Sequence, residues 1–266
     1  MRSILALLRA TWISATSYRI ATLLSVVSIL ASIVPVFFMA KAVEPIARAS
    51  ISLEGSDYFG FVVIGIAASY VLLSATGAIP SALSSNIGSG TFEALMVTRT
   101  PLPVVIIGLA AYPVMQSLIN AAVVVMGAVV FGVRIDFLML PAVVVIVLLL
   151  IAAHAAIGLI AAALVLVFRT SGPLITAVVA GSNLLGGVFY STSAIPGWLQ
   201  SLSVLIPLTY ALRATRRLLL ADASLADVSG DVAMLALLAV IGLAIGALAF
   251  GAAMRHARRA GTLTHL

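Results

Sequence analysis

Long apolar runs without any Asp, Glu, Lys or Arg dominate this chain. About 20 such residues are enough to cross the hydrocarbon core of a bilayer. Runs of this kind cover residues 20–40, 58–79, 102–133, 137–168, 173–190 and 232–254. Only 8% of the 266 residues are charged and the mean hydropathy is +1.28, so the chain lacks the charge that a water-facing surface requires. The sequence therefore predicts an all-α integral membrane protein with six transmembrane helices.

The segments that flank these runs predict three further elements. If residues 1–19 form a helix, apolar side chains lie on one face and Arg or Ser on the other. This pattern favours an amphipathic interfacial helix that lies on the membrane surface. Residues 198–212 are too few and too polar for a full crossing, and they contain Pro207. We therefore predict an extracytoplasmic re-entrant helical hairpin before the last span. Residues 255–266 form a basic tail.

The distribution of basic residues predicts the orientation. With the N-terminus inside, eight of the 14 Lys and Arg residues fall on the cytoplasmic side. Basic residues are enriched in cytoplasmic loops, and both ends of the chain are basic. We therefore expect both termini in the cytoplasm, with a seventh crossing disfavoured because it would expose the basic tail to the outside.

Several function classes lack the residues that they need. The predicted spans contain no carboxylate or basic side chain for ion coupling, and His154 is their only ionisable candidate. We interpret that histidine as a core residue hydrogen-bonded to a neighbouring helix and not as part of a proton relay. The only lysine, Lys41, follows an alanine, which excludes a phosphate-binding Gly-Lys-Ser/Thr loop. Cysteine is absent, the three histidines form no metal-ligand pair, and the composition excludes a free-standing nucleic-acid binder.

Two segments carry a resemblance to a known family. The first reads Gly90-Thr91-Phe92-Glu93-Ala94-Leu95 after the second span. The second reads Ile195-Pro196-Gly197-Trp198-Leu199 and continues through Pro207-Leu208-Thr209-Tyr210 to Arg213. Together with the six-span plan they resemble the permease subunits of type-2 ABC exporters, the group that includes daunorubicin-resistance-like and polysaccharide-exporter permeases. Ile206 departs from the pattern, since many members have Asn there.

The resemblance implies a permease that dimerises with a second copy or a paralogue in a bacterial cytoplasmic (inner) membrane. It would bind two copies of a separate ABC ATPase, which would hold the ATP and Mg, and would itself have no catalytic, cofactor or metal site. Its coupling helix would dock on the ATPase through Thr91, Phe92, Glu93, Leu95 and Met96. Its extracytoplasmic hairpin would contain Ile195, Pro196, Trp198, Pro207 and Tyr210.

Uncharged polar side chains inside the spans are candidates for the substrate path, because contact with lipid would cost them free energy. The candidates are Ser69, Tyr70, Gln116, Asn120, Asn183 and Tyr190. Hydrogen bonding between helices without substrate contact explains each of them equally well. A path without charge favours an amphiphilic or lipid-linked cargo over a small ion. Gly242 and Gly246 offer a close-packing face for a dimer.

Two other function classes stay open at this point. One is a membrane enzyme or assembly factor that acts on lipids without ATP, and the other is a secondary carrier. Stable association with an ATPase would distinguish the exporter from the lipid-acting enzyme or assembly factor. Dependence of substrate flux on the proton gradient would indicate a secondary carrier.

Overall fold

A computed structural model describes residues 19–55, 57–89, 102–168 and 170–259 as helices joined by short connections, with no strand in these ranges. The long helices are α1 (Arg19–Ile51), α2 (Tyr58–Gly88), α3 (Leu102–Val130), α4 (Leu140–Phe168) and α8 (Leu225–Arg259). The short ones are α5 (Gly172–Leu185), α6 (Gly197–Ser203) and α7 (Pro207–Leu220), with 3₁₀ turns at Phe137–Met139 and Thr192–Ala194. The predicted all-helical class is confirmed. The predicted interfacial helix, except for Arg19, lies outside the described residues.

The five long helices are long and apolar enough to cross a membrane. Helix α1 continues past residue 40, the predicted end of the first span. In this extension Glu44 pairs with Lys41 (3.0 Å) and with Arg48 (2.9 Å), one helical turn away on either side, and such pairs favour the helix.

The fifth predicted span, residues 173–190, differs most from its prediction. Helix α5 has 14 residues and is therefore about 21 Å long at 1.5 Å per residue. It stops at Leu185 because the chain turns at Gly186 and Gly187, and Gly187 has a φ of +77°, a conformation that other residues adopt only with strain. Residues 186–191, which we call the unwound segment, continue the chain in a non-helical conformation.

Helix α2 lies at the centre of the bundle and packs against α1, α3, α4, α5 and α7. Helices α4 and α8 form a second tightly packed pair. A Cβ on Gly246 would lie 2.6 Å from the carbonyl oxygen of Ala156 in α4, and one on Gly242 would lie 3.1 Å from the Ala156 Cβ. The close-packing face predicted to serve a dimer is therefore used within the chain.

Helices α6 and α7 form a hairpin that enters the bundle from one end, which we call the hairpin end. At its C-terminal side, Leu220 packs against Gly55 and Gly60 near the start of α2. At its N-terminal side, Leu208 lies against Gly186. Helix α7 therefore runs about 20 Å along the bundle, at 1.5 Å for each of its residues, beside α2, α4 and α8. The hairpin penetrates between the helices, as a re-entrant element does, and does not lie across their ends.

Cysteine labelling tests the predicted orientation, and the absence of native cysteine makes single variants clean. Leu53 and Ser224 are exposed at the hairpin end, and Ser89 is exposed at the opposite end. We expect a membrane-impermeant thiol reagent to label Leu53→Cys and Ser224→Cys in intact cells, and to label Ser89→Cys and Thr262→Cys only after permeabilisation. Labelling of Thr262→Cys in intact cells would contradict the six-span topology.

Candidate functional site

The unwound segment exposes backbone carbonyls that no helix satisfies, and Arg216 of α7 supplies donors for two of them. Its Nη1 donates to the carbonyl of Gly187 (2.9 Å) and its Nη2 to that of Val188 (2.9 Å). Tyr58 of α2 donates its hydroxyl to the next carbonyl, that of Phe189 (2.8 Å). Non-helical backbone at membrane depth is tolerated only where protein groups satisfy it. Arg216 and Tyr58 meet that requirement here.

The charge of Arg216 is balanced inside the protein. Nη1 also contacts Oε2 of Glu54 at 3.2 Å, and Ser191 donates its hydroxyl to the other Glu54 oxygen at 3.2 Å. Arg216 is 1% exposed and Glu54 is 7% exposed. The guanidinium lies 3.4 Å from the ring centroid of Phe61, and its Nε donates to the Phe61 carbonyl. One buried side chain thus joins the connection before α2, α2 itself, the unwound segment and α7.

The close approach of the unwound segment to α2 depends on Gly65. A Cβ at this position would lie 2.4 Å from the carbonyl oxygen of Val188 and 3.0 Å from Nη2 of Arg216. Only glycine leaves room for the segment to lie against the helix. Gly65 therefore determines the depth at which the broken span docks.

A second ion pair anchors the hairpin to the last long helix. Nε of Arg213 lies 2.9 and 3.0 Å from the two carboxylate oxygens of Asp231, and Nη2 also contacts the carboxylate. Asp231 is 9% exposed. Arg213 therefore holds α7 to α8. Arg216, three residues later on the same helix, holds α7 to α2.

The structure brings together some of the predicted path residues. Ser69 of α2 donates to Oδ1 of Asn183 in α5 at 2.9 Å, about 16 Å along α2 from its first residue at 1.5 Å per residue. Gln116 donates to Asn120 one turn away on α3 at 3.1 Å. Among the described residues no hydrogen bond joins the two pairs. Tyr70 packs beside the apolar cluster between α1, α2 and α3.

The predicted hairpin residues shape the two short helices. Pro196 precedes α6 and Pro207 is the first residue of α7, positions at which proline lacks only a hydrogen bond that the helix does not need. Tyr210 donates its hydroxyl to the Val204 carbonyl at 2.9 Å, which closes the turn between the helices. Gln200 of α6 donates to the carbonyl of Ile195 at 2.9 Å.

Two predicted residues near the hairpin occupy different environments. Trp198 of α6 is 69% exposed. Tyr190, a predicted path residue, donates its hydroxyl back to the Leu184 carbonyl across the end of α5. It therefore helps to close the turn that ends α5.

The predicted ATPase-docking residues, Thr91, Phe92, Glu93, Leu95 and Met96, lie outside the described residues. Helix α2 ends at Gly88, and the Ser89 N–H closes its last turn onto the Ser85 carbonyl. The docking assignment stays a prediction.

Sequence reasoning missed the buried ion pairs, because it treated Glu54, Arg213 and Arg216 as loop charges. The count of basic residues assigns Arg213, Arg216 and Arg217 to the outside parts of the chain, and the structure places all three on α7. A signal was available: Arg216 follows Leu208 and Leu212 at four-residue spacing, and Leu219 comes three residues later. That periodicity places Arg216 on the buried face.

His154 is fully buried in α4. Its Nδ1 donates to the Leu150 carbonyl at 3.0 Å, one turn earlier on the same helix. Its Nε2 has no hydrogen-bond partner among the described residues. The side chain thus bonds to its own helix, and the predicted bond to a neighbouring helix is wrong.

The comparison with protein families agrees with this architecture. The model of the family described as ABC-2 type transporter matches residues 2–220. The chain belongs to this family, and it is accordingly a multi-pass membrane protein and a transporter permease component. The family implies a partner ABC ATPase. No curated protein matches the chain.

Removing the Arg216 guanidinium should destabilise the protein. Arg216→Met leaves Glu54 as a buried unpaired charge and leaves two carbonyls without donors, so we expect a loss of about 3–5 kcal/mol in the free energy of unfolding. The measurement is denaturant unfolding in mixed micelles. The matched control is Arg217→Met. Among the described residues the Arg217 side chain donates to the exposed Asp227 carbonyl, so its replacement should cost about 1 kcal/mol or less. Equal losses for both variants would contradict the role of Arg216.

Replacing His154 should leave transport largely intact. A proton relay needs a second hydrogen-bonding group, and Nε2 of His154 meets none among the described residues. We expect His154→Gln to retain most of the transport activity of the unmodified protein, measured side by side in membrane vesicles. Loss of transport, with normal folding and a normal amount of protein in the membrane, would show that His154 takes part in transport.

Proposed function

We propose that this chain is the permease of an ATP-driven exporter that moves an amphiphilic or lipid-linked compound outward across a bacterial cytoplasmic membrane, with both termini in the cytoplasm. Drugs, secondary metabolites, lipids and glycans on a lipid carrier all belong to this class of cargo. The family membership supports the transporter role. A separate ATPase would bind ATP and Mg and supply the energy.

The single observation that carries the choice of cargo is the chemistry of the bundle at mid-depth. The hydrogen bonds there, Ser69 to Asn183 and Gln116 to Asn120, involve only uncharged groups. Of the three arginines on α7, Arg213 and Arg216 are each paired with a carboxylate, and Arg217 near the end of the helix donates to the Asp227 carbonyl. A small ion crossing the bundle would need charged or carbonyl ligands in place of its water. An amphiphile needs an apolar route with scattered polar groups.

The proposal assigns the energy transfer to the segment after α2. A permease that relies on a separate ATPase must receive work through a physical contact. Phe92, Leu95 and Met96 have the i, i+3, i+4 spacing of one helical face. In a dimeric permease, these three residues of each copy would bury against one of the two ATPase copies, and Glu93 would lie at the rim of that contact. Thr91 would cap the helix.

Truncation of the proposed anchor should uncouple the ATPase. Loss of a buried aromatic anchor commonly costs about 2 kcal/mol or more, whereas a rim charge costs less. We expect Phe92→Ala to abolish either the co-purification of the ATPase with the permease or the stimulation of ATP hydrolysis by substrate. We expect Glu93→Ala to weaken both. The measurements are the amount of ATPase pulled down with the permease and the rate of ATP hydrolysis by the complex in nanodiscs.

Two controls lie at the hairpin end. Phe137→Ala is the same truncation at a residue that is 52% exposed, and Arg134→Ala removes an exposed charge. Both should leave association and hydrolysis unchanged. If Phe92→Ala and Glu93→Ala both keep full association and full transport, the docking assignment is wrong.

A further inference from the structure

Helix α8 carries a continuous exposed stripe in the half of the bundle away from the hairpin end. Its apolar members, Ile241, Ile245, Leu248 and Ala252, follow one another at i, i+4, i+7 and i+11, and all four are exposed. Positions with this spacing share one face of a helix. We call these four residues the α8 stripe. It is about 16 Å long at 1.5 Å per residue, which matches one leaflet of a hydrocarbon core about 30 Å thick.

The same face of α8 ends in two arginines. Arg255 and Arg259 follow Ala252 after three and seven residues, and both are exposed. A Cβ on Gly251 would lie 3.5 Å from Nη1 of Arg255, so the Arg255 guanidinium lies back along the helix, towards the apolar stripe. Side chains on a helix lean towards its N-terminus in this way. The guanidinium is therefore at the border between the α8 stripe and the charged end of the helix.

No carboxylate among the described residues balances these two arginines. Phe250 and Met254 of α8 share an apolar cluster with Ile79 and Leu83 of α2, so this end of α8 lies opposite the hairpin end. Every Asp and Glu in the described ranges lies towards the hairpin end, and so do the ion pairs found in those ranges. Basic side chains of this kind beside a span attract anions from outside the chain.

A second copy of the chain is a poor partner for this face. In a symmetric dimer the same patch of each copy meets itself, and two copies in one membrane have the same orientation. Arg255 and Arg259 would then face the same arginines of the other copy, and like charges across an interface are unfavourable. A lipid with a negative headgroup offers apolar chains to the α8 stripe and the opposite charge to the arginines.

We propose that the α8 stripe, with Arg255 and Arg259, binds membrane lipids with a net negative headgroup in preference to zwitterionic ones. The acyl chains lie along the stripe, and the phosphate accepts hydrogen bonds from the two guanidinium groups, an interaction that a charge on both partners strengthens. The lipid belongs to the leaflet at the end of the bundle opposite the hairpin. This site is present whatever compound the permease exports.

Quenching of a single tryptophan by brominated lipids measures this preference. The protein has two tryptophans, so Leu248→Trp combined with Trp12→Phe and Trp198→Phe leaves one reporter on the α8 stripe, where Leu248 is 72% exposed. The full-length variant is reconstituted in phosphatidylcholine bilayers with increasing amounts of dibrominated phosphatidylglycerol or dibrominated phosphatidylcholine. We expect half-maximal quenching at a phosphatidylglycerol mole fraction about fivefold below that of phosphatidylcholine. If Leu248→Trp does not fold, Ile245→Trp places the reporter on the same stripe.

Substitution of the arginines separates the headgroup contact from the acyl-chain contact. In the Leu248→Trp protein, Arg255→Gln together with Arg259→Gln should make the two lipids quench equally, and each single substitution should give an intermediate value. Arg134→Gln is the matched charge control, because Arg134 is exposed at the hairpin end, and it should leave the preference unchanged. Val240→Trp is the matched reporter control. Val240 is 68% exposed on the same helix and about 22 Å along it from Arg255, so quenching there should show no preference.

Several outcomes would overturn the proposal. Equal quenching by the two lipids at Leu248→Trp, or a preference that survives the loss of both arginines, would do so. An equal preference at Val240→Trp would show a general attraction of anionic lipid to this basic protein and no site. Loss of ATPase pull-down by Arg255→Gln with an unchanged lipid preference would assign the arginines to the ATPase contact instead. The quenching assay contains neither ATPase nor substrate, so failure of the proposed export leaves its result unaffected.

Discussion

The hairpin end of the bundle depends on the contacts of one guanidinium. A span that stops being helical at Gly186 leaves carbonyls that lipid cannot satisfy, and Arg216 donates to those of Gly187 and Val188. A planar group with five donors suits this task, because it reaches two carbonyls and a carboxylate at once. Glu54 supplies that carboxylate from the connection before α2. The place where α5 ends, the depth of the hairpin and the start of α2 are therefore linked through a single side chain.

Such a cluster defines a geometry more than it adds stability. Buried ion pairs recover little net free energy compared with apolar packing, although breaking one is costly. The apolar clusters between α2, α4, α7 and α8 supply most of the buried surface. The ion pairs select one arrangement among those that the apolar faces would allow. Arg216 and Arg213 hold α7 to α2 and to α8 respectively.

The uncharged polar pairs inside the bundle and the buried arginine differ in how far the sequence could predict them. Ser69 and Asn183 were singled out because an uncharged polar group in a span needs a partner, and they do meet. The same rule could not say that Gln116 bonds within its own helix to Asn120, since either partner satisfies it. A charged residue between two apolar runs is usually solvated, and only the spacing of Arg216 from Leu208 and Leu212 indicates that it is buried. The docking residues around Phe92 stay a prediction.

The sequence by itself determined the class of protein. Hydropathy summed over about 20 residues is a local property that tertiary contacts do not change, so the long helices and the membrane setting follow from the chain alone, as does the resemblance carried by short motifs. The tertiary structure decided which faces meet. It decided that α5 ends after 14 residues, that Gly246 packs on Ala156 within the chain, and that Arg216 is buried. These features depend on contacts between residues far apart in the chain, such as Glu54 and Arg216, which are 162 positions apart and whose proximity no local pattern encodes.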